Sequence, residues 1–268
     1  MLGSTNYEDI QYVEKDHIAR ITINRPEQLN SLRPQTSWEM VDAINRAAGN
    51  SSIGVIVLTG AGDRAFSSGG DVRRAKVSPP PGYVEMNPRE VHLAIRHCGK
   101  PVIAVVKGYA IGMGNHLAYF CDFTIAADNA VFGQAGARIG SPAEGWIVSY
   151  SARVIGAKKA RELWMLCRRY TAAQALEMGL VNVVVPLDKL EEEVDRWCAE
   201  LLALSPTCLR VVKESFEAEF DYARDPARHH ILSMIAPEFP QTTEASEGKK
   251  AFREKRKPDY IQFRGPST

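Results

Sequence analysis

Two glycine-rich turns hold the residues whose types and spacing could do chemistry: Ser67-Ser68-Gly69-Gly70-Asp71 and Gly108-Tyr109-Ala110-Ile111-Gly112-Met113-Gly114-Asn115. Each follows a short apolar run that reads as a buried strand, Val55-Ile56-Val57-Leu58 before the first and Pro101-Val102-Ile103-Ala104-Val105-Val106 before the second. Glycine lets the backbone turn sharply and leaves main-chain N–H groups open to another molecule. Asn115 to Phe120 reads as the first turns of a helix, whose leading amides point outward and are partly positive. Two such loops leaving neighbouring strands could aim two amides at one oxygen, the geometry that stabilises negative charge as it develops in a reaction. Either turn alone could also be an ordinary strand-to-helix connection.

With 268 residues, 45% of them hydrophobic, the chain can bury a substantial core as one domain or as one domain with a helical extension. The net charge of +1 sets up no global field for nucleic acid or a membrane, so anion binding must rest on local basic clusters. The five cysteines, Cys98, Cys121, Cys167, Cys198 and Cys208, are odd in number and scattered. They read as reduced core residues of a cytoplasmic protein, and no Cys/His spacing suggests a metal site. Met1 to Asp9 is polar, and no apolar run is long enough to span a bilayer, so neither export nor membrane insertion is expected.

The elements that must position the turns follow from pattern. Ile10 to Glu14 and Ile18 to Ile23 read as a hairpin, and Gln35 to Ala48 as an amphipathic helix. Alternating strands and helices through residues 53–126 predict a mostly parallel α/β architecture. Val72 to Pro88 contains Ser78-Pro79-Pro80-Pro81-Gly82 and cannot be regular; loops of this length tend to be lids or disordered segments. Beyond Trp146 the pattern is helical over Val148 to Val154, Lys158 to Cys167, Ala172 to Met178, Leu187 to Leu204 and Pro206 to Phe220, with a strand at Val181 to Val185. Asp225 to Arg256 is expected to be helical and charged, with a basic end.

Asn24-Arg25-Pro26, Leu58-Thr59-Gly60, Ala65-Phe66-Ser67-Ser68-Gly69-Gly70-Asp71, Gly108-Tyr109-Ala110-Ile111-Gly112, Cys121-Asp122 and Phe132-Gly133-Gln134 stand in a familiar order and spacing. In them the chain resembles the crotonase (enoyl-CoA hydratase/isomerase) superfamily, from about Tyr7 to Tyr260. Ala127-Asp128-Asn129-Ala130, Lys158-Lys159-Ala160-Arg161-Glu162-Leu163-Trp164 and Lys255-Arg256-Lys257-Pro258-Asp259 make it most similar to the naphthoate synthase and ring-opening 2-ketocyclohexanecarboxyl-CoA hydrolase branch. The resemblance implies an α/β fold, the ClpP/crotonase spiral of ββα units, over residues 1–200, and a C-terminal helical trimerisation region with a basic tail over 201–268. It implies an acyl-CoA thioester as partner, coenzyme A being part of the substrate, no tightly bound cofactor, and a homotrimer or homohexamer. Reaction type is a separate matter, because one scaffold hosts many chemistries.

By the same resemblance the N–H groups of Gly70 and Met113 form an oxyanion hole, Met113 standing where most relatives have glycine. Arg25 and Leu29 fall in the segment that lines the CoA adenine site, and Arg25 and Arg33 could meet phosphates or be solvated charges. Ser68, Asp71 and Gly112 are assigned to substrate binding with them, Tyr83 to the flap over the acyl group, and Lys255 to a tail near a neighbour's CoA phosphates. That tail could equally be a solvated charged helix.

The two catalytic glutamates of hydratases are replaced by His116 and Gly136, so water addition by the usual route is not expected. His116 could act as acid or base, or pack at the helix start. Ala143 stands where naphthoate synthases have aspartate, and their C-terminal tyrosine falls on Pro240; both losses argue against naphthoate synthesis. Glu144 matches the catalytic carboxylate of one group of enoyl-CoA isomerases. Partly buried beside Trp146, it would have a raised pKa suited to proton transfer, or it could be an idle helix N-terminal glutamate. Gln134, Gly136 and Trp164 match positions that surround a bound bicarbonate in members lacking a carboxylate at the place of Gly136, although the usual hydroxyl residue is Ala135 here. A bicarbonate or a substrate carboxylate could occupy that space, or these residues could simply pack. The expected activity is double-bond isomerisation or related proton transfer on a bulky or cyclic acyl-CoA, with Glu144 as base. The alternatives are hydrolytic C–C cleavage of a cyclic β-ketoacyl-CoA and non-catalytic acyl-CoA binding.

Overall fold

The computed structural model describes residues 7–71, 90–143, 145–223 and 236–263. They form two compact units, one from Met1–Phe132 with Tyr170–Tyr222 and one from Gly133–Arg169 with Ala223–Thr268.

In the first unit β1 (Ile10–Lys15) and β2 (Ile18–Ile23) pair antiparallel as the expected hairpin. Asp16 and His17 between them both take positive φ, 51° and 66°, the two-residue turn whose twist matches that of the strands. β2 continues through parallel pairings into β3 (Val55–Gly60), β5 (Val102–Val106), β7 (Phe123–Ala127) and β10 (Val183–Val185). Every residue of β3 and β5 is buried, which is why both read as unbroken apolar runs rather than as alternating strands. One face is covered by α6 (Leu190–Leu202), whose Leu190, Val194, Cys198 and Leu201 recur at helical spacing against Val55, Val57, Ile103, Val105, Ile125 and Ala127. Burial pushes the Cys198 thiol up to about 11 and the Cys121 thiol well above its ordinary range, so both stay protonated core residues. The residue-200 boundary falls inside α6.

A second sheet runs β4 (Ala65–Ser67), β6 (Tyr109–Ile111), β8 (Val131–Gly133) and β9 (Arg169–Thr171). Successive strand pairs β3–β4, β5–β6 and β7–β8 each place one strand in each sheet and lead to the next helix. Those helices are α2 (Glu90–His97), α3 (Met113–Phe120) and α4 (Trp146–Leu166); α1 (Pro34–Gly49) follows the hairpin. This is the expected ββα order. Among the described residues no helix is long and apolar enough to cross a membrane.

α5 (Ala172–Glu177) precedes β10, and α7 (Pro206–Ala223) follows α6. On α7, Lys213 donates to Ile95 O (2.8 Å), Lys100 O (2.9 Å) and Asp122 Oδ2 (2.7 Å), while Glu217 pairs with the fully buried Arg96. Val211, Val212 and Phe216 of the same helix are exposed, so its polar side faces inward.

In the second unit α4 is broken at Gly156 (φ 76°, ψ 154°), between the two helices that the sequence predicts there. The expected helix over 225–256 needs correction. Residues 224–235 lie outside the described ones; Phe239–Gln241 form a 3-10 turn containing Pro240, and α8 (Thr243–Arg253) begins only after Thr242, whose hydroxyl accepts from Ala245 N at 3.2 Å. Proline removes a helical N–H, and the Thr242 cap restarts the helix. After α8, Arg256 grips the Glu247 carboxylate through both Nη atoms (2.6 and 3.0 Å).

Two predictions follow from these ion pairs. Lys213→Met should cost about 3 kcal/mol in chemical denaturation, because it removes the countercharge of Asp122, leaving that carboxylate only the Val102 N–H among the described residues, and the donor to two carbonyls; an unchanged midpoint would show that the contact is dispensable. Hydrogen bonding from Arg256, with the Asp259 N–H, lowers the Glu247 pKa from 4.5 to about 2. A carboxylate lowered on folding stabilises above its unfolded pKa and loses that contribution as pH falls toward the folded value. Amide protection factors in α8, corrected for the pH dependence of intrinsic exchange, should therefore fall between pH 4.5 and 2. Glu247→Gln should show the lowered protection factors already at neutral pH and no such acid step.

Candidate active site

The two glycine-rich turns leave strands that are direct neighbours. β4 and β6 pair in parallel, Ala65 with Tyr109 and Ser67 with Ala110, with an irregularity between, so both turns emerge at the same edge. They then touch. Gly69 has φ 95°, and a methyl group there would stand 2.6 Å from Ile111 O and 3.3 Å from Met113 N. A methyl at Gly114 would lie 2.3 Å from Ser67 O, so the first turn of α3 rests on the end of β4. Only glycine fits either contact.

Gly70 and Gly112 are the opposite case: a methyl at either would meet open space within 4 Å. α3 begins at Met113, two residues earlier than the pattern suggested, which makes the Met113 amide the first of the helix. Met113 lies outside the left-handed region, so methionine is accommodated without backbone strain. Among the described residues neither the Gly70 nor the Met113 N–H donates to an acceptor.

The loop after β2 explains how the Gly70 amide is kept free. Leu32 N donates to Gly69 O (2.8 Å) and Asp71 N to Leu32 O (2.9 Å), a one-residue parallel bridge that flanks Gly70 and turns its own N–H and C=O to the other side. Ser68 N donates to Leu29 O (2.9 Å). Asn30, fully buried, donates to Ala61 O (3.0 Å) and Ala65 O (2.7 Å) and accepts from Arg25 N (3.0 Å). Leu29 and Asn30 both take positive φ, 52° and 53°. Sequence reasoning missed Asn30; its position after Arg25-Pro26 is the only signal that could have found it.

Arg25 and Asp71 meet each other. Arg25 Nη2 lies 3.2 Å from Asp71 Oδ2 and its Nε 3.6 Å from Asp9, and it donates to Ser31 O. Arg33 forms a bidentate pair with Asp9, both contacts 2.7 Å. Both guanidiniums thus reach the adjoining open cleft, about 500 Å³ and lined also by Asn24, Gln28 and Glu8, already paired with carboxylates. Ser68 Oγ lies at 3.5 Å from Gln28 O. The ring of His116 packs against His92 of α2 and Tyr119, centroids 5.8 and 5.7 Å apart, a core environment rather than an open one. Its neighbour Asn115 is fully buried with neither amide atom hydrogen-bonded among the described residues.

In the second unit Gln134 is buried. A methyl on Gly136 would stand 2.6 Å from Ser141 O, while Ser141 N donates to Gly136 O at 3.0 Å, so this position is closed to a side chain unless the loop shifts. Trp164 Nε1 donates to Ser151 Oγ (2.9 Å), joining the two halves of α4 across Gly156. Lys255 is exposed and left-handed (φ 53°), at the turn after α8. Tyr83 and Glu144 lie outside the described residues. No group of side chains able to hold a metal ion occurs among the described residues.

Residues 13–263 match the family model for enoyl-CoA hydratase/isomerase. Among solved structures the chain is similar to an enoyl-CoA hydratase from Mycobacterium avium subsp. paratuberculosis K-10, at 30% identity and TM-score 0.79, over 95% of this chain and 99% of that one. It is similar at 29% identity and TM-score 0.73 to an enoyl-CoA hydratase/carnitine racemase from Magnetospirillum magneticum, over 95% and 96% of the two chains. A methylmalonyl-CoA decarboxylase shares the fold, at 24% identity and TM-score 0.84, over 95% and 98%.

The contrast between neighbouring glycines is testable. Gly69→Ala should lower stability by about 1–3 kcal/mol in thermal melts, because a side chain at positive φ is strained and also strikes Ile111 O. Gly70→Ala should stay within about 0.5 kcal/mol of wild type. Equal effects would contradict the close approach of the turns.

Proposed function

The chain belongs to the enoyl-CoA hydratase/isomerase family, and from that premise we propose that it binds an acyl-CoA thioester, forms its enolate and shifts a double bond. The observation that carries this reading is the pair of backbone amides, Gly70 and Met113, on two touching turns with no acceptor among the described residues. A thioester oxygen accepting both gains negative charge when the α proton leaves. Fixed donors hold that oxyanion more tightly than the neutral carbonyl, each contributing about 3–4 kcal/mol to the transition state.

The base is Glu144 on sequence grounds. It removes the α proton of a β,γ-unsaturated thioester, the charge spreads over the dienolate, and the same carboxyl returns the proton at the γ carbon. The product is the α,β-unsaturated isomer, with no net gain or loss of atoms. Several of the similar proteins are named hydratases, but hydration by two glutamates is disfavoured here: His116 is packed among rings, and Ser141 O fills the space beside Gly136. Bicarbonate has no part in this reading, since the Trp164 indole N–H is already engaged by Ser151. Preference for a bulky or cyclic acyl group, and a homotrimeric or homohexameric assembly, are proposed from the branch resemblance.

Wild-type enzyme in deuterated buffer should exchange α protons of saturated, enoyl and cyclic acyl-CoA esters, and convert a β,γ-enoyl ester to its α,β isomer of equal mass. Glu144→Gln should slow exchange by about 10²–10⁴-fold while acyl-CoA affinity stays within a few-fold. Retained exchange would remove Glu144 as base. Absence of exchange in wild type with every ester would overturn the enolate reading and favour a binding protein.

A further inference from the structure

The far end of the first unit's parallel sheet carries a cleft that takes no part in the chemistry proposed above. Ile53 and Gly54 lead into β3 and Pro101 into β5, whereas the glycine-rich turns lie beyond the C-terminal ends of the same strands. Strands of six and five residues separate the two by roughly 15–20 Å. The cleft has a volume of about 560 Å³ and lies wholly within the first unit, between the ends of α1 and α6 and the start of α7. Sites for small organic ligands span about 300–1,000 Å³. Ile53, Pro101, Leu201, Leu202 and Leu209 give this one an apolar wall. That wall is closely packed: a methyl on Gly54 would stand 2.5 Å from Leu202 Cδ2.

The polar side of the cleft is basic. Lys100 Nζ donates to Ala47 O (2.6 Å) and Asn50 O (2.5 Å) at the end of α1. Arg210 of α7 lays its side chain over Gly99, where a methyl would stand 3.4 Å from Nε and 3.6 Å from Cδ. Since Gly99 directly precedes Lys100, the two cations come to the same side of the cleft. Among the described residues neither pairs with a carboxylate, the Arg210 guanidinium makes no hydrogen bond, and no acidic residue lines the cleft. Desolvation lowers the Lys100 pKa, as it does for an ammonium partly withdrawn from water without a paired carboxylate.

We propose that this cleft is a second ligand site, which binds an organic carboxylate with an apolar body: the carboxylate lies against Arg210 and Lys100, and the hydrocarbon covers the leucine wall. Each half of the lining selects one half of the ligand. A guanidinium presents its N–H groups in a planar fork that matches a carboxylate, and Arg210 has that fork unused. A small inorganic anion would leave the leucines facing water, and an uncharged hydrocarbon would leave two neighbouring cations without a counter-ion. Binding here involves none of the residues of the two turns and does not require enolate chemistry.

The experiment is calorimetric titration of the full chain with octanoate at neutral pH, with and without saturating coenzyme A. Octanoate should bind at one site per chain, with the same affinity whether or not coenzyme A is present. Acetate should bind at least about 10-fold more weakly, because it has no body to cover the wall. Arg210→Gln should weaken octanoate by about 10-fold or more, the loss expected for a charged hydrogen-bonding partner. Its melting temperature should match that of wild type, since no hydrogen bond within the protein is given up. Octanol, as apolar but uncharged, should bind wild type and Arg210→Gln alike. Four results would each overturn the proposal: no saturable binding of octanoate at millimolar concentration, displacement of octanoate by coenzyme A, equal affinity for acetate, or octanoate binding that Arg210→Gln leaves unchanged.

Discussion

The contact on which the first unit's site depends is the meeting of two backbone turns at Gly69, where there is room for a hydrogen atom and nothing larger. That contact fixes the spacing between the Gly70 and Met113 amides, because both turns continue from parallel neighbours, β4 and β6. Oxyanion stabilisation depends on donors being in place before charge appears, so the proposed role requires this contact to be rigid. The loop from Arg25 to Leu32 supplies it. Its bridge to Gly69 and Asp71 satisfies the groups on either side of Gly70 and leaves the Gly70 N–H for something else.

The same loop shows how charged residues in a binding motif can be consumed internally. Arg25 and Asp71 both read as ligand-binding residues, yet they are ion-paired with each other, and Arg25 also with Asp9. Such pairing offsets the cost of partly burying a guanidinium and a carboxylate. It also ties the loop to the turn that carries Gly70, so both residues act on backbone placement.

Much of the scaffold was legible in the sequence because strong local signals agreed with the tertiary outcome. Val55 to Leu58 and Val102 to Val106 are strands buried on both faces, and nothing but a continuous apolar run would serve there. The break in α4 was legible because Gly156 interrupts two helical patterns. What could not be read were contacts between residues far apart in the chain. Nothing local to Asn30 announces two carbonyls near residue 65, and nothing local to Lys213 announces Asp122. The start of α3 differs from the pattern for a related reason: Gly114 is a poor helix former, and its packing against Ser67 overrides that preference. For His116 the residue type was legible but its surroundings were not, since the rings of His92 and Tyr119 come together only on folding.

This difference in legibility has a chemical origin. The proposed oxyanion donors are main-chain groups, so their identity is encoded in turn geometry and survives replacement of the usual glycine by Met113. A proton-transferring group must be a particular side chain, and moving it from one loop position to another changes the reaction without disturbing the turns. Here the two positions that the resemblance equates with the hydratase glutamates hold an imidazole packed among rings and a glycine closed off by Ser141 O. A fold that keeps charge stabilisation in its backbone can vary its acids and bases at low structural cost, which is why family membership is read from the turns and reaction type from a few side chains.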